Sequence, residues 1–177
     1  MAILKVAQLG NPILRKQAEP LNPQDIQTDN TQILINNMLD TMRDYGGVGL
    51  SAPQVHVSRQ ILLIESLQSK RYPGKPDIPL TVMINPVISV LDKSIIYSWE
   101  SCLSIPDLWG EVPRYKKLEV TYLDKEANQQ TLLASDFFSI VIQHEVDHLN
   151  AKVFLDQMTD LSTLCYRDEY LKKTTKR

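Results

Sequence analysis

Cysteine and histidine are scarce in this chain of 177 residues, which holds two of the first and three of the second. So few cysteines cannot build the dense disulfide framework of small secreted domains, and the count fits a reducing compartment. No apolar run approaches membrane-spanning length, and Met1 to Gly10 lacks the extended apolar core of a signal peptide. A soluble, cytoplasmic protein with no membrane partner is expected. Charge of one sign is lacking too: the formal net charge is −2, which gives no reason to expect nucleic acid or an anionic membrane surface. The basic cluster Lys172-Lys173 and Lys176-Arg177 reads as a solvated, frayed tail. There is no internal repeat, low-complexity tract or domain linker. What is present is a 43% hydrophobic composition, which excludes a disordered chain and suits one compact domain over residues 1–177.

Leu34, Met38, Met42 and Tyr45 mark an early amphipathic helix, with an Asp29-x-x-Gln32 capping pattern at its start and Gly46-Gly47 at its end. Runs rich in β-branched residues predict strands at 60–65, 81–85, 95–99, 118–123 and 131–134. Between them, Ser69 to Pro79 carries three prolines and a glycine and reads as a surface loop. Strands joined by short turns, with helices near the ends, indicate an α+β domain with antiparallel sheets.

His144-Glu145-Val146-Asp147-His148 carries the chemistry. On a helix, residues four apart share one face, so both imidazoles can reach one metal ion while Glu145 lies beside them to handle protons. That is the division of labour of HExxH metallohydrolases. Ser135-Asp136 supplies an N-cap and a first-turn acid, and Phe137, Ile140, Val141, His144 and His148 form an inward stripe. Asn150 is expected to end this helix in the left-handed conformation. Phe138 and Ile142 read as ordinary core residues.

Two histidines are too few protein ligands for a stable site. His56, in the turn-like stretch Val55 to Ser58, is the weaker candidate for a third. Cys102 is the better one, because it directly follows a strand-like run ending at Trp99, and a thiolate suits zinc, iron or cobalt. Cys165, among Leu161, Leu164 and Leu171 of a helix-like tail, reads as a buried face residue.

These segments resemble the peptide deformylases, which remove the formyl group from the N-terminal methionine of newly made proteins. Gly47-Val48-Gly49-Leu50-Ser51-Ala52-Pro53-Gln54 is similar to the family's GxGLAAPQ, Glu100 to Ser104 to EGCLS, and His144 to His148 to HExDH. Lesser likenesses at Leu9 to Pro12, Ile84 to Pro86 and Val112 to Arg114 extend the resemblance over about Lys5 to Met158. It implies antiparallel sheets wrapped around a central HExxH helix, with an N-terminal and a C-terminal helix. It implies metal ligands at Cys102, His144 and His148 and a general acid/base at Glu145. Gln54 and the backbone of Leu103 are implied as oxyanion donors, and Val48, Gly49, Ser101, Phe137, Ile140 and Val141 as substrate contacts. The implied cofactor is one divalent ion, ferrous iron in vivo, with zinc, nickel or cobalt also accepted by such ligands. The implied partners are N-formylmethionyl nascent peptides met at the ribosome.

Four positions depart from that pattern. Ser51 and Ala151, replacing an alanine and a glycine, read as tolerable, and Trp109 stands where many bacterial members carry another, often basic, residue at the cleft mouth. Ser101 replaces the glycine before the metal-binding cysteine. Its hydroxymethyl group is expected to crowd the substrate or twist the loop of Cys102 and Leu103, so that Ser101→Gly raises the turnover number; a side chain turned to solvent is the harmless alternative. Two competing readings stand: a zinc endopeptidase taking its third ligand downstream, where Glu169 is available, and a weakly active paralog serving as a binding module.

Overall fold

The computed structural model describes Ala2–Ser69 and Arg71–Thr174, the side chain of Thr174 excepted. In chain order the elements are α1 (Pro23–Ile26), α2 (Asp29–Asp44), β1 (Gly49–Ser51), β2 (Ile61–Ser66), β3 (Ile78–Cys102), β4 (Ile105–Leu123), β5 (Gln129–Ser135), α3 (Asp136–Leu149), β6 (Cys165–Tyr166) and α4 (Arg167–Thr174). The strands form one antiparallel sheet in the order β1-β2-β3-β4-β5, with β6 added to β4. The α+β expectation is borne out, including a terminal helix on each side of the sheet in sequence.

Alternation along β2 explains why this strand is buried on both faces. Leu62 and Ile64 join the core under α3, whereas Ile61 and Leu63 join the core under α2. The sheet therefore lies between two helices at this point, and α3 packs against β1, β2, β4 and β5. A third cluster, with Cys102, Ile105, Val112, Val153 and Phe154, seals the far end beneath the β3–β4 turn.

The strand runs at 81–85 and 95–99 are parts of one 25-residue strand, β3. The sequence hides this because Pro86 and the polar Asp92-Lys93-Ser94 look like breaks. Both are absorbed by register shifts against β4, the first next to Asn85 in the left-handed region at φ 52°. The loop expected over 69–79 ends earlier, since β3 begins at Ile78.

Helix boundaries bring further corrections. Thr28, not Asp29, occupies the cap of α2, and its hydroxyl donates to the Asp25 carbonyl while Gln32 reaches the Ile26 carbonyl. The inward face is carried by Ile35 with Met38 and Met42, whereas Tyr45 is exposed. Gly46 ends α2 at φ 63°, with Gly47 N–H on the Met42 carbonyl and Gly46 N–H on that of Arg43, a Schellman closure. Ser135 makes no side-chain cap at α3, and the chain turns instead through Asp136 at φ 51°. Asn150 is not left-handed, having φ −98°; Ala151 is, at φ 60°, because the helical turn runs one residue further. Cys165 lies in β6 rather than a helix, half-buried beside Trp109, and Leu161 is exposed. Lys172 and Lys173 are exposed on α4, with Lys173 Nζ over the Trp99 ring; Lys176 and Arg177 lie outside the described residues. Among the described residues no helix is long and apolar enough to cross a membrane.

Candidate active site

The β3–β4 hairpin turns through Leu103 and Ser104, so Cys102 is the last residue of β3 and sits at a rigid tip. The N-terminal segment ties that tip to the short helical turn Ala52–Val55: Leu9 N–H donates to the Ser104 carbonyl and Ala7 N–H to that of Gln54, both at 2.8 Å. The inner stripe of α3 then brings His144 and His148 up to Cys102. The ligand atoms of these three side chains lie within 4.8 Å of one another, and Cys102 Sγ is 3.3 Å from His148 Nε2. Ligand atoms around a tetrahedral metal with ordinary metal–sulfur and metal–nitrogen bonds stand roughly 3.3–3.6 Å apart. The donor set therefore fits a divalent ion. His56, at an exposed left-handed turn, is no part of the cluster.

Electrostatics agree with a cation-seeking site. Burial pushes the Cys102 thiol up, but the facing His148 and His144 outweigh it and hold the thiol well below its ordinary range. Burial opposes charge on His144 as well, yet Cys102 and Glu100 raise it well above the usual imidazole value. A thiolate and a carboxylate thus draw positive charge into a buried pocket, where a divalent metal can supply it. Glu100 Oε2 lies 2.8 Å from His144 Nδ1, which fixes that nitrogen as donor and leaves Nε2 to face the cluster. His148 Nδ1 is buried and has no hydrogen-bond partner among the described residues.

Glu100 belongs to a buried chain of charges that motif reading left without roles. Arg114 donates from Nε and a terminal nitrogen to the two Glu100 oxygens, at 2.7 and 2.9 Å, and from its other nitrogen to Asp147 Oδ2 at 2.6 Å. Burial would raise the Glu100 pKa, but Arg114 dominates and brings it to about 2. Single charged residues at otherwise apolar strand positions, such as Glu100 after Trp99 and Arg114 after Val112-Pro113, were the available signal.

Glu145 faces the opposite side. Its carboxylate is wedged against Gly49 and accepts a hydrogen bond from Ser51 Oγ at 2.7 Å. Burial raises its pKa above the usual carboxylate value, partly offset by His144, His148 and the Ser51 bond. Ser51 is thus more than a small-for-small replacement: its hydroxyl orients the motif's glutamate. Gln54 is pinned by its oxygen, which accepts from Ser51 N–H at 2.8 Å, so its amide nitrogen points to Cys102 Sγ at 3.4 Å and Ser104 Oγ at 3.2 Å.

An inner pocket opens beside this cluster. Val48, Gly49, Ser101, Leu103, Phe137, Ile140 and Val141 all line it, together with Gln54, His144 and Glu145. Sequence reading missed Arg71 and Tyr72, which complete its wall from the loop before β3. Ser101 is neither turned to solvent nor backbone-strained: it is buried, outside the left-handed region, and its hydroxyl accepts from Arg71 Nε at 2.9 Å. Trp109 is buried in a wider outer cleft, stacked on Tyr170 with centroids 4.5 Å apart.

The sequence model of the polypeptide deformylase family matches residues 3–163. Peptide deformylase of Leptospira biflexa serovar Patoc is 34% identical over 96% of this chain and 95% of its own. Peptide deformylase 2 of Nostoc sp. is 36% identical over 98% of this chain and 96% of its own. The Met-Ala-Ser-bound class I type b peptide deformylase of Acinetobacter baumannii superposes with TM-score 0.86 at 33% identity, over 89% of this chain and 99% of that one. A peptide deformylase from Synechococcus elongatus in complex with actinonin gives TM-score 0.82 at 32% identity, over 98% of this chain and 86% of that one. Matched along most of its length in both sequence and structure, the chain belongs to the polypeptide deformylase family.

Proposed function

We propose that this chain is a single-domain, metal-dependent deformylase acting in the cytoplasm on N-formylmethionyl peptides as they emerge from the ribosome. The observation that carries this reading is the buried Cys102-His144-His148 cluster with Glu145 alongside, next to a pocket walled by Val48, Phe137, Ile140 and Val141. Cys102, His144 and His148 would hold the metal, ferrous iron in the cell, with zinc, nickel or cobalt accepted by the same donors. A divalent ion held there would supply Lewis-acid activation of water and of the formyl carbonyl near neutral pH.

The chain's own residues do the rest. Val48, Phe137, Ile140 and Val141 take the methionine side chain out of water, and the Gly49 and Ser101 backbones hold the first peptide units. Glu145 accepts a proton from the attacking water and delivers it to the departing methionine amine. Its raised pKa, set first by burial, makes it a better acceptor for the water's proton than an ordinary carboxylate. Gln54 Nε2 and the Leu103 N–H donate to the formyl oxygen as charge builds there. The products are formate and a free α-amine.

The endopeptidase alternative needs a downstream third ligand, and Glu169 is exposed on α4, paired with Lys172 at 2.6 Å. Protein purified without oxygen and loaded with ferrous iron should release formate from formyl-Met-Ala-Ser and leave acetyl-capped peptides of the same sequence uncut. Cleavage of internal peptide bonds, or no formate release at full metal occupancy, would overturn the proposal.

A further inference from the structure

We propose that Ser101 is a positioning residue for methionine recognition, whose hydroxyl clamps the 71–77 loop onto the inner cavity so that Tyr72 forms one of its walls. The inference rests on reading that cavity as the methionine pocket. Ser101 Oγ is buried between two consecutive loop residues: Arg71 Nε donates to it at 2.9 Å, and the Tyr72 hydroxyl lies 3.3 Å away. One hydroxyl can serve both, accepting from the guanidinium and sharing its remaining donor or acceptor capacity with the phenol.

The Tyr72 ring, placed in this way, packs on Phe137 with centroids 5.3 Å apart and on Trp109 at 5.6 Å. Phe137 is itself a wall of the cavity, so the serine on β3, the loop and the start of α3 meet at one corner. Among the described residues the loop's other hydrogen bonds are local: Gln68 N–H to Asp77, Tyr72 N–H to Ser69 Oγ and Lys75 N–H to the Tyr72 carbonyl. Lys75 Nζ over the Phe137 ring, at 5.7 Å, is a weak further tether. A glycine at residue 101 would remove the polar anchor and leave the Arg71 Nε and the phenol without this protein partner. The side chain at residue 101 therefore acts on ground-state binding of the substrate through Tyr72, and Ser101→Gly is expected to weaken binding rather than raise turnover.

Two measurements test this on the whole chain. In the first, Ser101→Ala, Arg71→Ala and the double variant are compared at equal metal loading with formyl-Met-Ala-Ser. Loss of one such hydrogen bond corresponds to about a fivefold rise in KM, with kcat within about twofold of the parent. The double variant should be no worse than Ser101→Ala alone, and the preference for formyl-Met-Ala-Ser over formyl-Ala-Ala-Ser should narrow in all three. Fully additive losses, or a loss confined to kcat, would overturn the clamp. In the second, amide hydrogen exchange over residues 71–77 should be faster in Ser101→Ala and in Ser101→Gly than in the parent. This readout needs no turnover, so it stands apart from whether the chain deformylates. Exchange unchanged in both variants would show that the hydroxyl does not hold the loop.

Discussion

A Cβ placed on Gly49 would stand 2.4 Å from Oε1 of Glu145. The backbone of Gly49 has no left-handed angle, so glycine is required by space and not by conformation. The Glu145 carboxylate fills the room that a side chain would need, and Ser51, two residues on, grips its other oxygen. Strand β1 is thereby shaped around Glu145. Gly49→Ala should still fold, because what its Cβ meets is one side chain, Glu145 from Cγ to Oε1, and no backbone. Misplacing that carboxylate by about 1 Å should lower kcat on the order of a hundredfold. A variant that keeps full turnover would mean Glu145 need not sit where the structure puts it.

Proton transfer and metal holding should separate by mutation. Glu145→Gln is expected to keep its metal near one equivalent and lose deformylation, since Glu145 is oriented by Ser51 and Gly49 and lies outside the ligand cluster. Cys102→Ala or His148→Ala should lose both. Metal analysis beside the formate assay decides: a metal-free Glu145→Gln protein, or an active, fully metallated Cys102→Ala protein, contradicts the assignment.

Glu100 should tune the site without touching the substrate. Its Oε2 fixes the Nδ1 proton of His144 at 2.8 Å, and Arg114 holds Glu100 in place from Nε and one terminal nitrogen. Loss of such a partner typically weakens metal binding about 10- to 100-fold. Glu100→Gln should show that loss in a chelator competition. Arg114→Met strands two carboxylates, Glu100 and Asp147, and should also cost about 3–5 kcal/mol of stability in denaturant unfolding. Unchanged metal affinity in Glu100→Gln would remove the carboxylate from its supporting role.

The identity of the metal should set the rate. A Cys-His-His donor set makes ferrous iron accessible to oxygen, and the family resemblance implies poor catalysis by zinc. The ferrous or nickel form is therefore expected to turn over formyl-Met-Ala-Ser markedly faster than the zinc form, and the ferrous form to decay in air. Equal rates and no air sensitivity would refute this.

The parts of the site read directly from sequence are those fixed by local periodicity or a contiguous motif. His144 and His148 are one helical turn apart, and Cys102 ends a strand-like run, so each could be placed before its neighbours were known. Arg71 and Tyr72 could not, because they reach the cavity only through a loop folded over Phe137, and nothing local marks them. The Arg114 bridge was hidden for the same reason: its partners stand on β3 and α3, 14 and 33 residues away in sequence. Strand β3 was cut in two by Pro86, since only pairing with β4 reveals that a bulge carries the proline. Departures from a family pattern were legible as positions but not as effects. Ser51 and Ser101 proved to be hydrogen-bonding residues, one on Glu145 and one on the loop.

Ala151 is the departure with a measurable cost. Helices α2 and α3 both close with the Schellman pattern, Gly47 N–H bonding to the Met42 carbonyl in one and Lys152 N–H to that of Asp147 in the other, at 2.8 and 2.9 Å. The left-handed residue is Gly46 in the first, at φ 63°, and Ala151 in the second, at φ 60°. A Cβ in that conformation costs about 1–2 kcal/mol, whereas glycine gives back about 0.4–1 kcal/mol through the freedom of the unfolded chain. Ala151→Gly should therefore stabilise the protein by about 0.5–1 kcal/mol, a rise of roughly 1–4 °C in melting temperature for a domain of this size. The change falls three residues after His148 and leaves the Lys152 N–H closure in place, so metal content should stay at the parental level. A lower melting temperature in Ala151→Gly would mean that the alanine is unstrained here, and that the end of α3 is held by contacts other than its backbone closure.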